Sequence, residues 1–233
     1  MPPLIIVAAG DGTVNAVLNC FEPGVATLAV LPLGTSNVLA SELGITSLDD
    51  GLERIIQGET RPLSAGLLQL EGRRHYFVLM AGIGLDGAVV RDVRPPEKRL
   101  LKQGAFVLSA LRNACSWDRE LIEVVSGGQS ISCHTVVVCN ASRYGGNFVL
   151  APEADLFSPG LIAVCVTSGS HACYLKIASN LFWKRTGHSS DMIRVASGEV
   201  EILGRKPIQI DGDFVGYGPA RISAVANFAS IVI

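Results

Sequence analysis

The sequence has no marked excess of charge of either sign. Lysine and arginine together number 19 and aspartate and glutamate 21 in 233 residues, which gives a formal net charge of −2. A protein that attracts nucleic acid through its overall field carries a clear basic excess. The near balance therefore argues against nucleic acid as a partner.

The sequence also lacks the cysteine spacings of metal sites and redox motifs. Its six cysteines show no C-x-x-C pair, and several of them lie in apolar runs. Zinc sites and dithiol motifs depend on such paired spacings. We interpret these residues as buried free thiols of a protein in the reducing cytoplasm.

Long hydrophobic runs are missing as well. No apolar run approaches the roughly 20 residues that a membrane-spanning helix needs, and no basic segment followed by an apolar one resembles a signal peptide. Nevertheless 48% of the residues are hydrophobic and the mean hydropathy is +0.39. This excess indicates a thick core, an apolar ligand groove or a surface that meets lipid.

What is present is organised around one stretch near the start. Leu4–Ala8 is apolar without alternation, which is typical of a strand covered on both faces. Gly10 and Gly12 flank Asp11 in a tight polar turn, and Thr13 caps or opens the next helix. Such a turn can hold phosphate, or it can be an ordinary surface turn. Because a carboxylate repels phosphate, Asp11 is better suited to bind a metal ion or to accept a proton from a hydroxyl than to bind phosphate directly.

A second strand, turn and helix follow the first. Thr27–Leu31 is apolar, and a glycine-containing turn leads into a helix over Val38–Leu43. This repeat suits a βαβ unit. In a right-handed unit both turns lie at the carboxyl edge of the sheet. We therefore expect Gly10–Thr13 and Gly34–Asn37 to converge on one crevice.

Beyond residue 60 the sequence favours hairpins. Strands are predicted at Leu63–Glu71, His75–Gly82, Leu121–Ser126, Ser130–Asn140, Leu161–Thr167, Glu199–Leu203, Pro207–Ile210, Ala220–Val225 and Ser230–Ile233. Further helices are predicted at Ser47–Gln57, Ala88–Asp92, Leu100–Ala114 and His171–Trp183, with small basic clusters at Lys98–Lys102 and Lys184-Arg185. Strands that follow a βαβ region indicate a second, mostly antiparallel domain. The predicted fold class is an α/β domain over residues 1–60 and a β-sandwich domain over residues 61–233, whose last strands can pack back on the first domain.

Five blocks in order along the chain resemble signatures of the diacylglycerol kinase catalytic domain family. This family includes bacterial lipid kinases and sphingosine kinases and shares its nucleotide fold with NAD kinases. The blocks are Ala9-Gly10-Asp11-Gly12-Thr13-Val14-Asn15, Leu31–Asn37 with Ala40 and Leu43-Gly44, Gly82–Gly87, Asn140–Gly146 with Leu150–Ala154, and Ile210–Asp213. The resemblance implies an NAD-kinase-like nucleotide-binding domain, a β-sandwich lipid-binding domain and an active site in the cleft between them.

The same resemblance implies an activity. It is transfer of the γ-phosphoryl group of ATP to a hydroxyl of diacylglycerol or a related long-chain lipid, with Mg²⁺, by a cytoplasmic protein peripheral at the inner membrane face. A homodimer is compatible with this interpretation. The family normally has two or more strand–helix units ahead of the first block, so we expect a partial nucleotide domain here. The alternatives are NAD kinase-like activity and a non-catalytic module that binds lipid or nucleotide.

The resemblance also implies roles for individual residues. Asp211 is the expected general base, with Asp11 as its rival and otherwise nearer to Mg²⁺ and phosphate, and Asp86 is the expected ligand of the lipid head group. From the residues alone, Asp211 is better explained as a hairpin turn residue, and Asp86 is nearly as well explained as a helix N-cap. The expected nucleotide contacts are Ala9, Gly10, Asp11, Gly12, Thr13, Asn15, Gly34, Thr35, Asn37 and Asp213.

Some positions depart from the family pattern. Ala9 replaces the first glycine of the first block, and Asp213 stands where the family has glutamate. Bacterial members hold a structural Mg²⁺ with an Asp-Gly pair, but the matching pair here is Pro159-Gly160. Proline offers no side-chain ligand for Mg²⁺, so that site is not expected, although Asp155 lies nearby in sequence.

Overall fold

The computed structural model describes residues 2–93, 120–145, 148–174 and 191–233. The helix predicted at Leu100–Ala114 and both basic clusters lie outside these residues, as does most of the helix predicted at His171–Trp183. Of the cysteines, Cys133, Cys139, Cys165 and Cys173 are buried thiols and Cys20 is exposed, whereas Cys115 lies outside the described part.

The first part of the chain alternates strands and helices. Its elements are β1 Leu4–Ala9, α1 Asp11–Leu18, β2 Thr27–Pro32, α2 Val38–Glu42 and α3 Leu48–Gln57. Strands β1 and β2 are parallel, with Leu4 opposite Thr27. The predicted βαβ unit is therefore present. Helix α1 begins at Asp11, and its N-cap is the extended residue Gly10, which lies three residues ahead of the predicted cap Thr13.

Strands dominate the rest of the described chain. The elements are β3 Thr60–Leu70, β4 Arg73–Phe77, β5 Met80–Ile83, α4 Leu85–Arg91, β6 Ile122–Ser126, β7 Gln129–Cys133, β8 Thr135–Cys139, β9 Arg143–Tyr144, β10 Phe148–Val149, β11 Leu161–Val166, β12 Met192–Ser197, β13 Glu199–Leu203, β14 Pro207–Ile210, β15 Asp213–Tyr217 and β16 Ala220–Val232. One large sheet has the order β1-β2-β16-β13-β6-β7, with β3 and β4 attached through β16, and a second has the order β12-β11-β8-β5-β14-β15. The α/β start followed by mostly antiparallel sheets confirms the predicted fold class.

Strand β16 joins the two parts of the chain. It pairs antiparallel with β13 and β3, and parallel with β2, where Ser230 lies opposite Thr27. The sequence predicts two separate strands here, but one strand continues through a register shift between Val225 and Ala229. Asn227 adopts a positive φ of 51° at this shift, as an irregular residue within a strand does.

Two predicted strands are each divided in two. Ser130–Asn140 becomes β7 and β8, which lie in different sheets, because the chain crosses between the sheets at His134. His75–Gly82 becomes β4 and β5, which are separated at Val78 and Leu79. The N–H groups of these two residues donate to a distant carboxylate rather than to a neighbouring strand.

Helix α3 meets the sheet through its smallest residue. A Cβ atom on Gly51 would lie 2.8 Å from the Leu31 side chain, so the helix backbone packs directly on β2. The apolar residues Leu48, Leu52 and Ile56 are 40%, 43% and 85% exposed.

Among the described residues, no helix has the length and apolar character needed to span a bilayer.

Candidate active site

The two glycine turns lie against each other. A Cβ atom on Gly34 would stand 2.3 Å from Cα of Gly10 and 3.0 Å from its backbone nitrogen. Real Cβ atoms do not approach backbone this closely, so position 34 needs glycine because of this contact rather than because of an unusual φ. The predicted convergence of the two turns is therefore confirmed.

Asp11 connects the two turns through its carboxylate. The N–H groups of Val38 and Leu39 donate to its Oδ2 and Oδ1, each at 3.0 Å. These are the first N–H groups of α2, whose own N-cap, Asn37, makes no side-chain capping bond. Asp11 is thus a cap supplied from a different element, and both of its oxygens are engaged with α2.

Replacing Asp11 with alanine is expected to destabilise the protein by about 1 kcal/mol, since α2 then loses its only side-chain cap. Urea unfolding of the purified protein measures this change. Asp49→Ala is the matched control, because Asp49 is an exposed acidic residue in the first turn of α3. If Asp11 served only as a metal ligand, its removal would leave the unfolding midpoint in metal-free buffer unchanged.

Asn37 closes its own turn. Its Oδ1 accepts the N–H of Gly34 at 2.7 Å, and its Nδ2 donates to the Gly34 carbonyl at 3.0 Å. Its backbone is left-handed, with φ of 46°, a conformation that asparagine tolerates better than most residues. The side chain therefore shapes the second glycine turn from within.

Asp211 is surrounded by four N–H donors. Its Oδ2 accepts from Asn15 Nδ2 at 2.9 Å and from Val78 N–H at 2.8 Å, and its Oδ1 accepts from the Leu79 and Met80 N–H groups, each at 2.9 Å. Burial raises the pKa of Asp211 to about 6, against the opposing effect of these donors. The carboxylate thus ties β14 to helix α1 and to the break between β4 and β5.

Asn15 and Asn19 complete this connection from helix α1. Asn15 is buried and donates from Nδ2 both to Asp211 and to the Tyr76 carbonyl. Asn19 accepts the Tyr76 N–H at 2.8 Å and donates to its carbonyl at 2.9 Å. No motif in the sequence marks Asn19, and its only signal is its position one helical turn after Asn15.

The remaining predicted contacts face outward or into the core. Asp213 is exposed, and its Oδ2 lies 3.9 Å from where a Cβ atom on Gly12 would stand. Gly12, Thr13 and Thr35 are exposed as well, whereas Ala9 packs against the hydrophobic core. The acidic turn after β14 therefore lies close to the start of helix α1, with exposed hydroxyl groups on both glycine turns.

Asp86 lies in a separate polar cluster. The Tyr144 hydroxyl and Gln209 Nε2 both donate to its carboxylate. Tyr144 lies in the fourth motif, in which the resemblance implies no role for it, and nothing in the sequence marks Gln209. Asp86, the residue predicted to bind the lipid head group, thus accepts hydrogen bonds from two protein side chains.

No metal site is formed by protein side chains alone in the described part of the chain. It contains no group of three or more His, Cys, Asp or Glu residues suited to hold an ion. Near Pro159, the carboxylate of Asp155 accepts the Phe157 N–H at 3.0 Å. Asp155, the acidic residue close in sequence to the Pro-Gly pair, therefore closes a local turn.

The chain matches known families over nearly its whole length. Residues 2–68 match the diacylglycerol kinase catalytic domain, and residues 80–233 match the YegS C-terminal NAD kinase beta sandwich-like domain. A diacylglycerol kinase of Bacillus subtilis (strain 168) is 28% identical over 99% of this chain and 77% of its own length. A probable lipid kinase YegS-like protein of Shewanella frigidimarina is 27% identical over 69% of this chain and 53% of its own length.

The fold also matches solved structures. The crystal structure of a putative diacylglycerol kinase from Bacillus anthracis superposes with a TM-score of 0.79 at 22% identity and covers 98% of this chain and 76% of that one. The order of the matched regions agrees with the α/β start and the mostly antiparallel remainder of the described fold. The chain therefore belongs to the family of diacylglycerol kinases and YegS-like lipid kinases.

Proposed function

We propose that this chain transfers the γ-phosphoryl group of ATP to a hydroxyl of diacylglycerol or a related long-chain lipid. One observation carries the proposal: the acidic turn that ends at Asp213 lies beside Gly12 in the first glycine turn, and that turn packs against the second at Gly10 and Gly34. Phosphoryl transfer needs bound phosphates, a proton acceptor and a positioned hydroxyl more than it needs covalent chemistry by the protein. This arrangement supplies the first two.

The glycine turns suit the phosphates of ATP. The close contact between Gly10 and Gly34 holds the two turns side by side, so the phosphates of one ATP molecule can reach both turns. The N–H groups of Thr13 and Val14 bond to the Gly10 carbonyl, which leaves the first N–H groups of α1 to point outward. The hydroxyls of Thr13 and Thr35 add polar contacts.

The proton acceptor is assigned by geometry before pKa. Asp211 is the base expected from the resemblance, and its pKa near 6 suits a base, but N–H donors occupy both of its oxygens, and the two donors on the oxygen that takes the proton would have to rearrange. Asp213 is exposed beside Gly12. Asp213 takes the proton of the lipid hydroxyl, whose oxygen bonds to the γ-phosphorus as the bond to ADP breaks, and Asp211 fixes the turn.

Mg²⁺ does not enter this assignment. Both oxygens of Asp11, the residue expected near the ion, cap α2, and the described residues form no metal site of their own. The remaining expectations complete the proposal: the protein is cytoplasmic and peripheral at the inner membrane face, and it is compatible with a homodimer.

The proposed function is tested by incubating the protein with γ-labelled ATP, Mg²⁺ and mixed micelles of diacylglycerol, with NAD in a parallel reaction. We expect label in lipid and none in NAD. Asp213→Asn is expected to lower kcat by about 10²- to 10⁴-fold, as loss of a general base does. Label in NAD alone, or binding of lipid without any label while a related kinase labels it, would overturn the proposal.

A further inference from the structure

A chain of hydrogen bonds leads from the second sheet to the turn that carries Asp213. The Tyr144 hydroxyl donates to Oδ1 of Asp86. Nε2 of Gln209 donates to Oδ2 of Asp86 at 2.6 Å, and the N–H of Gly212 donates to Oε1 of Gln209 at 2.8 Å. The chain of bonds thus ends on the residue directly before Asp213.

Tight packing leaves this chain of bonds little freedom. Gln209 is 3% exposed and lies opposite Gly82 in the pairing of β14 with β5. A Cβ atom on Gly82 would stand 1.6 Å from Oδ2 of Asp86 and 2.7 Å from Nε2 of Gln209. The absence of a side chain at Gly82 is therefore what allows the carboxylate and the amide to meet.

The direction of the bonds follows from donor chemistry. A backbone N–H can only donate, so Oε1 of Gln209 must face Gly212 and Nε2 must face Asp86. Oδ2 of Asp86 then has to accept. The titratable groups facing Asp86 in the described chain are Tyr144 and Cys139, and burial raises the pKa of Asp86 against its two hydrogen bonds.

We propose that Asp86 and Gln209 are positioning residues: they hold the Gly212 N–H and so fix the carboxylate of Asp213 beside the glycine turn. This inference rests on the proposed function, in which Asp213 takes the proton of the lipid hydroxyl. It assigns Gln209 a role that the sequence does not mark. It also gives Asp86 a task within the protein, because each of its oxygens already accepts a hydrogen bond.

The test replaces Gln209 with glutamate. The introduced carboxylate still accepts the Gly212 N–H, but its second oxygen faces Oδ2 of Asp86, and two acceptors can meet there only with a shared proton. Between pH 6 and pH 8, we expect kcat of Gln209→Glu to fall by a factor at least about ten times larger than any fall in the wild-type kcat. Small displacements of groups in an active site change rates by this much. Gln69→Glu, on an exposed position of β3, is the matched control and should follow the wild-type profile.

A second substitution should restore the profile. In the double variant Asp86→Asn, Gln209→Glu, the new amide donates to the new carboxylate while its oxygen still accepts from Tyr144. We expect the double variant to regain a wild-type pH profile. In Asp86→Asn alone, the amide oxygen accepts from Gln209 only if the amide nitrogen faces Tyr144, whose hydroxyl must then rotate to accept a hydrogen bond. We expect it to lower kcat about two- to threefold, the loss of roughly half a kcal/mol, with the KM for lipid unchanged.

Two results would overturn the inference. One is a Gln209→Glu variant with the wild-type pH profile, and the other is an Asp86→Asn variant whose KM for lipid rises while kcat holds, which would make Asp86 a lipid ligand. Hydrogen exchange of the Gly212 amide gives a readout that does not depend on activity. If the wild type labels no lipid, the proposed function fails. Faster exchange in Gln209→Glu at pH 8, reversed in the double variant, would still support the hydrogen-bond role, and unchanged exchange would refute it.

Discussion

Replacing Asp211 with alanine is expected to lower the free energy of unfolding by about 3–5 kcal/mol, the usual cost of leaving several buried donors without an acceptor. Four N–H groups lose their partner at once: those of Val78, Leu79 and Met80, and the side chain of Asn15. Asp211→Asn is expected to be nearly as destabilising, because its amide group would face two of these donors. Urea unfolding followed by circular dichroism measures both variants.

The neighbouring carboxylate provides the control. Asp213→Asn alters an exposed side chain two residues away, and we expect its free energy of unfolding to change by no more than about 0.5 kcal/mol. Asp211→Ala should therefore lower the stability of the protein, whereas Asp213→Asn should lower its activity with little effect on stability. If Asp211→Ala unfolded at the wild-type urea concentration while activity disappeared, the hydrogen bonds would not stabilise the fold and Asp211 would be the better candidate for the base.

Stability should also depend on pH through Asp211. Its pKa rises from 3.8 to about 6 on folding, so between these values the folded protein binds more protons than the unfolded chain. Its contribution to the free energy of unfolding is then fully present below about pH 4 and is lost as the pH rises through about 6. A series of urea titrations should show this decrease in the wild type and a shallower one in Asp211→Asn.

Replacing Gly34 with alanine is expected to weaken ATP binding at least about tenfold, because a misfit costing about 1–3 kcal/mol falls directly between the two turns. The new Cβ atom would stand 2.3 Å from Cα of Gly10 and 2.7 Å from Oδ1 of Asn37. Neither the backbone of Gly10 nor the hydrogen-bonded side chain of Asn37 can move away without opening the crevice. Calorimetric titration with a non-hydrolysable ATP analogue measures the change.

Gly160→Ala is the control for this substitution. No heavy atom lies within 4 Å of its new Cβ atom, so both the fold and ATP binding should be preserved. An unchanged dissociation constant in Gly34→Ala would mean that ATP does not occupy the crevice between the turns. The proposed phosphate site would then have to be abandoned, whatever the lipid assay shows.

The sequence predicted elements and motifs better than it predicted what each motif residue does. The crevice between the glycine turns follows from the order of strands and helices, because right-handed crossovers bring both turns to one edge. The role of Asp11 does not follow, because its partners Val38 and Leu39 lie on another helix. Only the three-dimensional structure places an acceptor in front of those N–H groups.

The motif at Gly82–Gly87 shows the same limit. Its glycines are visible in the sequence, but their reasons differ. Gly82 leaves room for Asp86 to meet Gln209 of β14, and a Cβ atom on Gly87 would stand 2.1 Å from the Pro207 carbonyl. Both reasons depend on β14, which comes far later in the chain. Spacing alone cannot reveal contacts that are made with a distant strand.

The pairing of β16 with β2 has a consequence for how the protein acquires its structure during synthesis. Thr27 pairs with Ser230 and Leu28 with Ile231, so one edge of β2 must wait until nearly the whole sequence has left the ribosome. Contacts between such distant residues form slowly, and an unpaired strand edge is prone to aggregate in the meantime. The regions that match two different domain families are therefore expected to fold as a single cooperative unit, in which the glycine turns reach their final positions late.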